Sequence, residues 1–123
     1  MSTPVGPYSP IVRAGSWLIC SGQLGLAPAT GGGAPALVDG GPGAQLTQAV
    51  ANAAALLVAN GASLEDVVKT TVFAIDPADF PVVNEAYVAA FGGHRPARSM
   101  VAVSALPMGA AVEIEVWAHR EPS

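Results

Sequence analysis

The sequence predicts an α+β sandwich: a mixed sheet with two helices on one face. Three observations predict it. Apolar residues recur first at strand spacing and then at helix spacing, in the order ββ-α-β-α-ββ. Residues 67–75 (VVKTTVFAI) are rich in β-branched side chains, as a central strand requires. Hydrophobic residues fill 51% of the 123 positions and charged residues only 11%, where a typical soluble domain carries about 25% charge. Helices on one side leave the other sheet face open. A chain this short of charge is expected to cover that face with copies of itself.

Each element has its own signal. Residues 8–13 follow a Gly-Pro turn and lead into the first strand, and Gly15-Ser16 is a hairpin turn. WLICS at 17–21 is the second strand, closed by Gly22. Residues 28–43 (PATGGGAPALVDGGPG) read as a loop because of their glycine and proline density. Residues 45–60 form the clearest helix, with Leu46, Val50, Ala53 and Leu57 at helical spacing and Gly61 at the C′ position. Ser63 and Asp66 are spaced as a capping box. Asp76 as N-cap and Pro77 at N1 open a second helix. Its apolar positions are Phe80, Val83, Ala86 or Tyr87, and Ala90, and Gly92-Gly93 ends it. Residues 99–105 and 112–118 are the last two strands, joined by LPMGA. The whole of 1–123 reads as one domain.

Composition excludes several function classes. A net charge of −4 with five scattered cations gives no basic stripe for a phosphate backbone, so no nucleic-acid partner is expected. Cys20 is the single cysteine, so no internal disulfide forms, and it reads as a small buried hydrophobe. With only Cys20, His94 and His119 as soft ligands there is no zinc spacing, and no metal is expected. MSTPVGPYSP lacks the basic and apolar segments of a signal peptide. The longest apolar stretch, around 49–58, is interrupted by Asn52, followed by Asn60, and too short to span a bilayer. The cytoplasm is the default location, with no membrane partner.

Two places in the sequence carry chemistry. In HRPARSMVAV (94–103), strand alternation puts Arg98, Met100 and Ala102 on one face. Arg98 is either a solvated charge at a strand end or an anion receptor, since a guanidinium fork binds a carboxylate bidentately. Arg95, before Pro96, reads as ordinary surface. In VEIEV, Glu113 and Glu115 share one face and Ile114 and Val116 the other. Those acids either are solvated or pair with Lys69 or Arg120, or one of them orients a water as general base.

Several segments together resemble the RidA family, also called YjgF or endoribonuclease L-PSP. They are GPYS (6–9), SGQL (21–24), SLEDVVKTTVFAID with DFPVVNEAY (63–87), PARSMVAVSALP (96–107) and VEIEVWA (112–118). The resemblance implies a chorismate-mutase-like, ferredoxin-like ββαβαββ sandwich that assembles as a homotrimer with sites between subunits. It implies hydrolysis of reactive 2-imino or enamine acids to 2-oxo acids and ammonia, with no cofactor. Arg98 would hold the substrate carboxylate and Glu113 would orient the water. Tyr8, Ser21, Gly22, Asn84 and Met100 would line the pocket, Ser21 by hydrogen bonding, since no base stands beside it to make it a nucleophile. Met100 stands where many members have cysteine, and Ala102 where many have glutamate. A non-catalytic binder of small carboxylates, needing Arg98 but not Glu113, is the alternative. Endoribonuclease activity is the least favoured reading: the chain is acidic, and neither His94 nor His119 has a recognisable acid/base partner.

Overall fold

The computed structural model describes residues 6–28 and 33–123. The first five residues of MSTPVGPYSP, and 29–32 of the expected loop, lie outside the described residues. A hairpin pairs β1 (Ile11–Ala14) with β2 (Trp17–Cys20) in antiparallel register. Gly15 turns it at φ 61, a left-handed value that glycine adopts without cost. β3 (Gln23–Leu24) follows, and then β4 (Leu26–Ala27) and β5 (Ala36–Leu37) form a small ribbon of their own. Helix α1 spans Gly41–Ala59. A 3₁₀ turn (Leu64–Asp66) feeds β6 (Val67–Ala74). A second 3₁₀ turn (Pro77–Asp79) runs into α2 (Phe80–Phe91), followed by β7 (Ala97–Ala102). A third (Pro107–Gly109) precedes β8 (Val112–His119).

The main sheet has the order β1-β2-β8-β6-β7, with β3 also on β8. β6 and β7 are parallel, joined by α2 as the crossover, and the remaining pairs are antiparallel. β6 occupies one edge of β8; β2 and β3 share the other. Pairing lapses at Ser21-Gly22, and the register there slips by one residue. That break brings the backbone of Gly22 beside Glu113.

Three expectations are corrected. The stretch 28–43 is not all loop: it contains β5, and α1 starts at Gly41 rather than residue 45. Gly40 caps that start at φ 113, and Pro42 suits the first turn because its missing N–H needs no partner there. Asp76 does cap, accepting from the Ala78 N–H at 2.9 Å, but it caps the 3₁₀ turn before α2. β7 begins at Ala97 and ends at Ala102, earlier than 99–105. Its partner β6 stops at Ala74, whose carbonyl takes the Val103 N–H as the last rung. The end of α1 follows the expectation: Ala62 N–H bonds the Leu57 carbonyl and Gly61 N–H the Val58 carbonyl, a Schellman closure with Gly61 at φ 81. Asp66 accepts from the Ser63 N–H at 2.9 Å, as the capping-box spacing requires.

The core lies between the sheet and the helices. Leu18, Val72, Ile114 and Val116 meet Leu46, Val50, Ala53 and Leu57 of α1 and Val83, Tyr87 and Phe91 of α2. Truncating a fully buried member such as Ile114 to alanine would cost about 2–5 kcal/mol through lost transfer energy and the cavity left. Asn52, the polar break in the apolar stretch, reaches from α1 to the Leu24 and Leu26 carbonyls at 3.2 and 2.9 Å. It therefore ties β3 and β4 to the helix. The opposite sheet face carries Val12, Ile19, Phe73 and Val101 beside Lys69, Thr71, Glu113 and Glu115. Trp17 and Trp117 pack edge-to-face on it at 6.0 Å, and both are exposed.

Candidate active site

Arg98 lies on the edge strand, opposite Thr70 of β6, and so points to the helix-covered face. Its Nη1 donates to Asn84 Oδ1 at 2.8 Å, and its guanidinium carbon sits 4.8 Å from the centre of the Tyr87 ring. Asn84 and Tyr87 are three residues apart on α2, which places both on the helix face above Arg98. Tyr87 is itself fixed: its hydroxyl shares a 2.8 Å hydrogen bond with Thr70, which is fully buried. The arginine is thus oriented by an amide and a ring rather than by an acid. Among the described residues the only ion pair joins Arg120 to Asp66. The guanidinium keeps its charge and most of its N–H groups for a ligand.

A cleft of about 300 Å³ opens beside it, lined by Asn84, Tyr87, Val88, Arg95, Pro96 and Arg98. This volume is at the small end of ligand pockets, about 300–1,000 Å³. Four of the lining residues, Tyr87, Val88, Arg95 and Pro96, lie outside the expected set. Tyr87 was read only as a possible core position, and its spacing from Asn84 is the signal that could have found it. Arg95 was read as ordinary surface; it lines the cleft and donates from Nη1 to the Gly92 and His94 carbonyls at the end of α2. Met100 shares the Arg98 face and is half-buried against the core.

Glu113 stands on the other face of the sheet. It pairs with Phe73 of β6 and with Leu24 of β3. Its carboxylate lies against Gly22, where a Cβ would come 2.7 Å from Cδ. Burial, and then the like charge of Glu115, push its pKa above the ordinary carboxylate range. The pairings considered for it are used elsewhere. Lys69 donates to Ser99 Oγ at 2.7 Å, and Arg120 reaches Asp66.

Ser21 is next to Gly22 and donates from Oγ to the Ser9 carbonyl at 2.6 Å. Its hydroxyl proton is thereby committed, so toward a ligand Ser21 can only accept. Tyr8 adjoins Ser9 and is 45% exposed. Cys20, one position earlier, faces the core at 2% exposure, and burial raises its thiol pKa to about 12. His94 does have a partner: Nε2 meets the Val67 carbonyl at 2.7 Å, a structural tie between α2's end and β6.

The expected site residues therefore fall into two groups in one chain. Arg98, Asn84 and Met100 belong to the helix face at the β7 edge. Glu113, Gly22 and Ser21 belong to the open face and the break in β2–β3, with Tyr8 near Ser21. Arg98 and Glu113 are separated by β6 and by three residues along it. At about 4.8 Å per strand and 3.3 Å per residue their Cα atoms are about 14 Å apart, with side chains on opposite faces.

A mixed sheet with two helices on one face puts the chain in the α+β class. The Endoribonuclease L-PSP family model matches residues 1–120, and the chain belongs to that family. It is 43% identical over 118 residues to a Mus musculus protein named 2-iminobutanoate/2-iminopropanoate deaminase, covering 96% of this chain and 84% of that one. Among solved structures it is similar to RidA from a Psychrobacter species, with a TM-score of 0.87 at 43% identity, covering 95% of this chain and 91% of that one. It is also similar to E. coli TdcF with bound serine, with a TM-score of 0.85 at 35% identity, covering 96% and 91%. No described helix is long and apolar enough to cross a membrane.

Proposed function

We propose that the protein hydrolyses 2-imino acids, and their enamine tautomers, to 2-oxo acids and ammonia. The observation that carries this reading is Arg98. It is a permanently charged fork, oriented by Asn84 and Tyr87, with no acid beside it among the described residues and a small cleft in front of it. Such a fork is suited to a planar carboxylate. The deaminase name of the mouse relative and the serine held by TdcF support a small amino-acid-like ligand.

The second half of the chemistry comes from Glu113. Its raised pKa makes it a stronger base than a solvated carboxylate. It accepts a proton from a water as that water adds to C2 of the C=N bond. That proton passes to nitrogen, giving a carbinolamine; the hydroxyl proton then also moves to nitrogen, the C2–N bond breaks, ammonia leaves, and the C2–O bond becomes the 2-oxo carbonyl. Ser21 Oγ accepts a hydrogen bond from the substrate N–H, and Tyr8 and Met100 close the pocket walls.

Because Arg98 and Glu113 face opposite ways in one chain, a site that uses both takes Glu113 from a neighbouring copy. The open face, with exposed Trp17, Val101 and Trp117 among its polar residues, is the proposed surface through which copies associate, and a homotrimer is the assembly proposed. The test follows imine released by a serine or threonine dehydratase, trapped with semicarbazide. Wild-type protein is expected to accelerate imine loss, and Arg98→Ala to reduce kcat/KM at least about a hundredfold, as loss of a charge-assisted bidentate contact would. An Arg98→Ala protein as fast as wild type would refute the reading.

A further inference from the structure

Two of the chain's five cations, Arg95 and Arg98, line one cleft. The other three are engaged elsewhere: Arg13 with the Gly15, Asn60 and Arg120 carbonyls, Lys69 with Ser99, and Arg120 with Asp66. In an acidic protein, two guanidinium groups sharing a cleft repel each other and cost stability unless an anion joins them. A single carboxylate satisfies Arg98. Arg95 remains, with Nη1 used on carbonyls that carry no formal charge and Nε and Nη2 bonded to nothing among the described residues. Extended chain from Arg95 through Pro96 to Arg98 separates their Cα atoms by at most about 10 Å, so both side chains reach the two ends of a short ligand.

We infer that the cleft takes 2-imino diacids of four or five carbons, Arg98 holding the carboxylate next to the imine and Arg95 the distal one. Val88 and Pro96 supply the apolar wall between them. The reaction stays balanced as before: water adds across C=N, and a 2-oxo diacid and ammonia leave. This inference rests on the proposed deaminase reading for turnover, but not for binding.

The experiment therefore has two readouts. Calorimetry compares 2-oxoglutarate with 2-oxopentanoate, the stable oxo products of the two imines. Turnover compares imines generated in the assay by amino-acid oxidases acting on glutamate and on norvaline. Wild type, Arg95→Gln, Arg95→Ala and Arg98→Ala are measured, and the glutamine keeps a donor for the Gly92 carbonyl in case alanine loosens the end of α2. Wild type is expected to bind the oxo diacid about tenfold more tightly than the monoacid, as one added charge-assisted contact provides. Arg95→Gln is expected to erase that ratio, in binding and in kcat/KM alike, whereas Arg98→Ala weakens both ligands together. Equal affinity of wild type for the two acids, or a ratio unchanged in Arg95→Gln, would overturn the inference. A diacid preference in binding without turnover of either imine would support the inference and refute the deaminase reading instead.

Discussion

Glu113 and Gly22 are packed so closely that a methyl group on Gly22 would stand 2.7 Å from the carboxyl carbon of Glu113 and 2.9 Å from Oε1. The obstructed group is the free end of a flexible side chain, so it can swing away. Gly22→Ala is therefore expected to fold normally, with a melting temperature within about 3 °C of wild type. If Glu113 is the base, as proposed, kcat is expected to fall about tenfold or more, because its carboxylate is displaced by roughly an ångström. Thermal melts beside imine-loss kinetics check this, and an unchanged kcat would contradict it.

Gly25 meets the opposite kind of neighbour. A Cβ there would lie 2.5 Å from the Gln45 carbonyl oxygen and 2.6 Å from its Cα, and helix backbone cannot step aside. Gly25→Ala is expected to destabilise the fold by about 3 kcal/mol or prevent folding. The urea midpoint, compared with that of Gly22→Ala, measures the contrast.

Arg98 and Glu113 on opposite faces make a prediction about mixtures. Neither Arg98→Ala nor Glu113→Gln is expected to show useful activity alone. Unfolded together in equal amounts and refolded, they are expected to form mixed copies of the proposed trimer. If each proposed site pairs one copy's arginine with the next copy's glutamate, about a quarter of the sites recover both groups. Activity near a quarter of wild type is expected. None would be recovered if both residues acted within one chain.

The pKa of Glu113 links charge to stability. The folded chain holds that proton more tightly than the unfolded chain, because burial and Glu115 disfavour the ionised form. Stability is therefore present in full at acid pH and falls as pH rises through the window above the ordinary carboxylate value. Glu113→Gln is expected to be more stable than wild type at pH 7, by a shift of about 1–3 °C, with the difference vanishing near pH 4. Activity is expected to run the other way: with Glu113 as the proposed base, kcat/KM of wild type falls on acidification at a higher pH than a solvated glutamate would give. Melting curves at the two pH values and a pH–rate profile test both halves.

The helices and long strands were legible because their signals are local: Leu46, Val50, Ala53 and Leu57 on one stripe, Gly61 at a left-handed end, and β-branched residues at 67–75. The start of α1 was hidden because Gly40, Gly41 and Pro42 signal loop equally well, and only their φ values separate a cap from a turn. β3 escaped notice because two residues carry no periodicity; its pairing with β8 decides it. At the site, alternation gave the faces of Arg98 and Glu113 correctly but not their opposition across the sheet, which depends on the parallel register of β6 and β7. Arg95 looked like surface because cleft lining is a tertiary property. Tyr87 looked like core because it is core, as well as the ring under Arg98.

β8 has a further consequence for the order in which the chain can fold during synthesis. It is the strand to which β2, β3 and β6 all bind, yet it follows every one of them in sequence. Until residues 112–119 emerge, the β1–β2 hairpin and the β6–α2–β7 unit have no shared strand and the sheet stays in two pieces with unpaired edges. A nascent chain stalled before Val112 would expose those edges to chaperones, and release of the last strand would be the event that lets the sheet close.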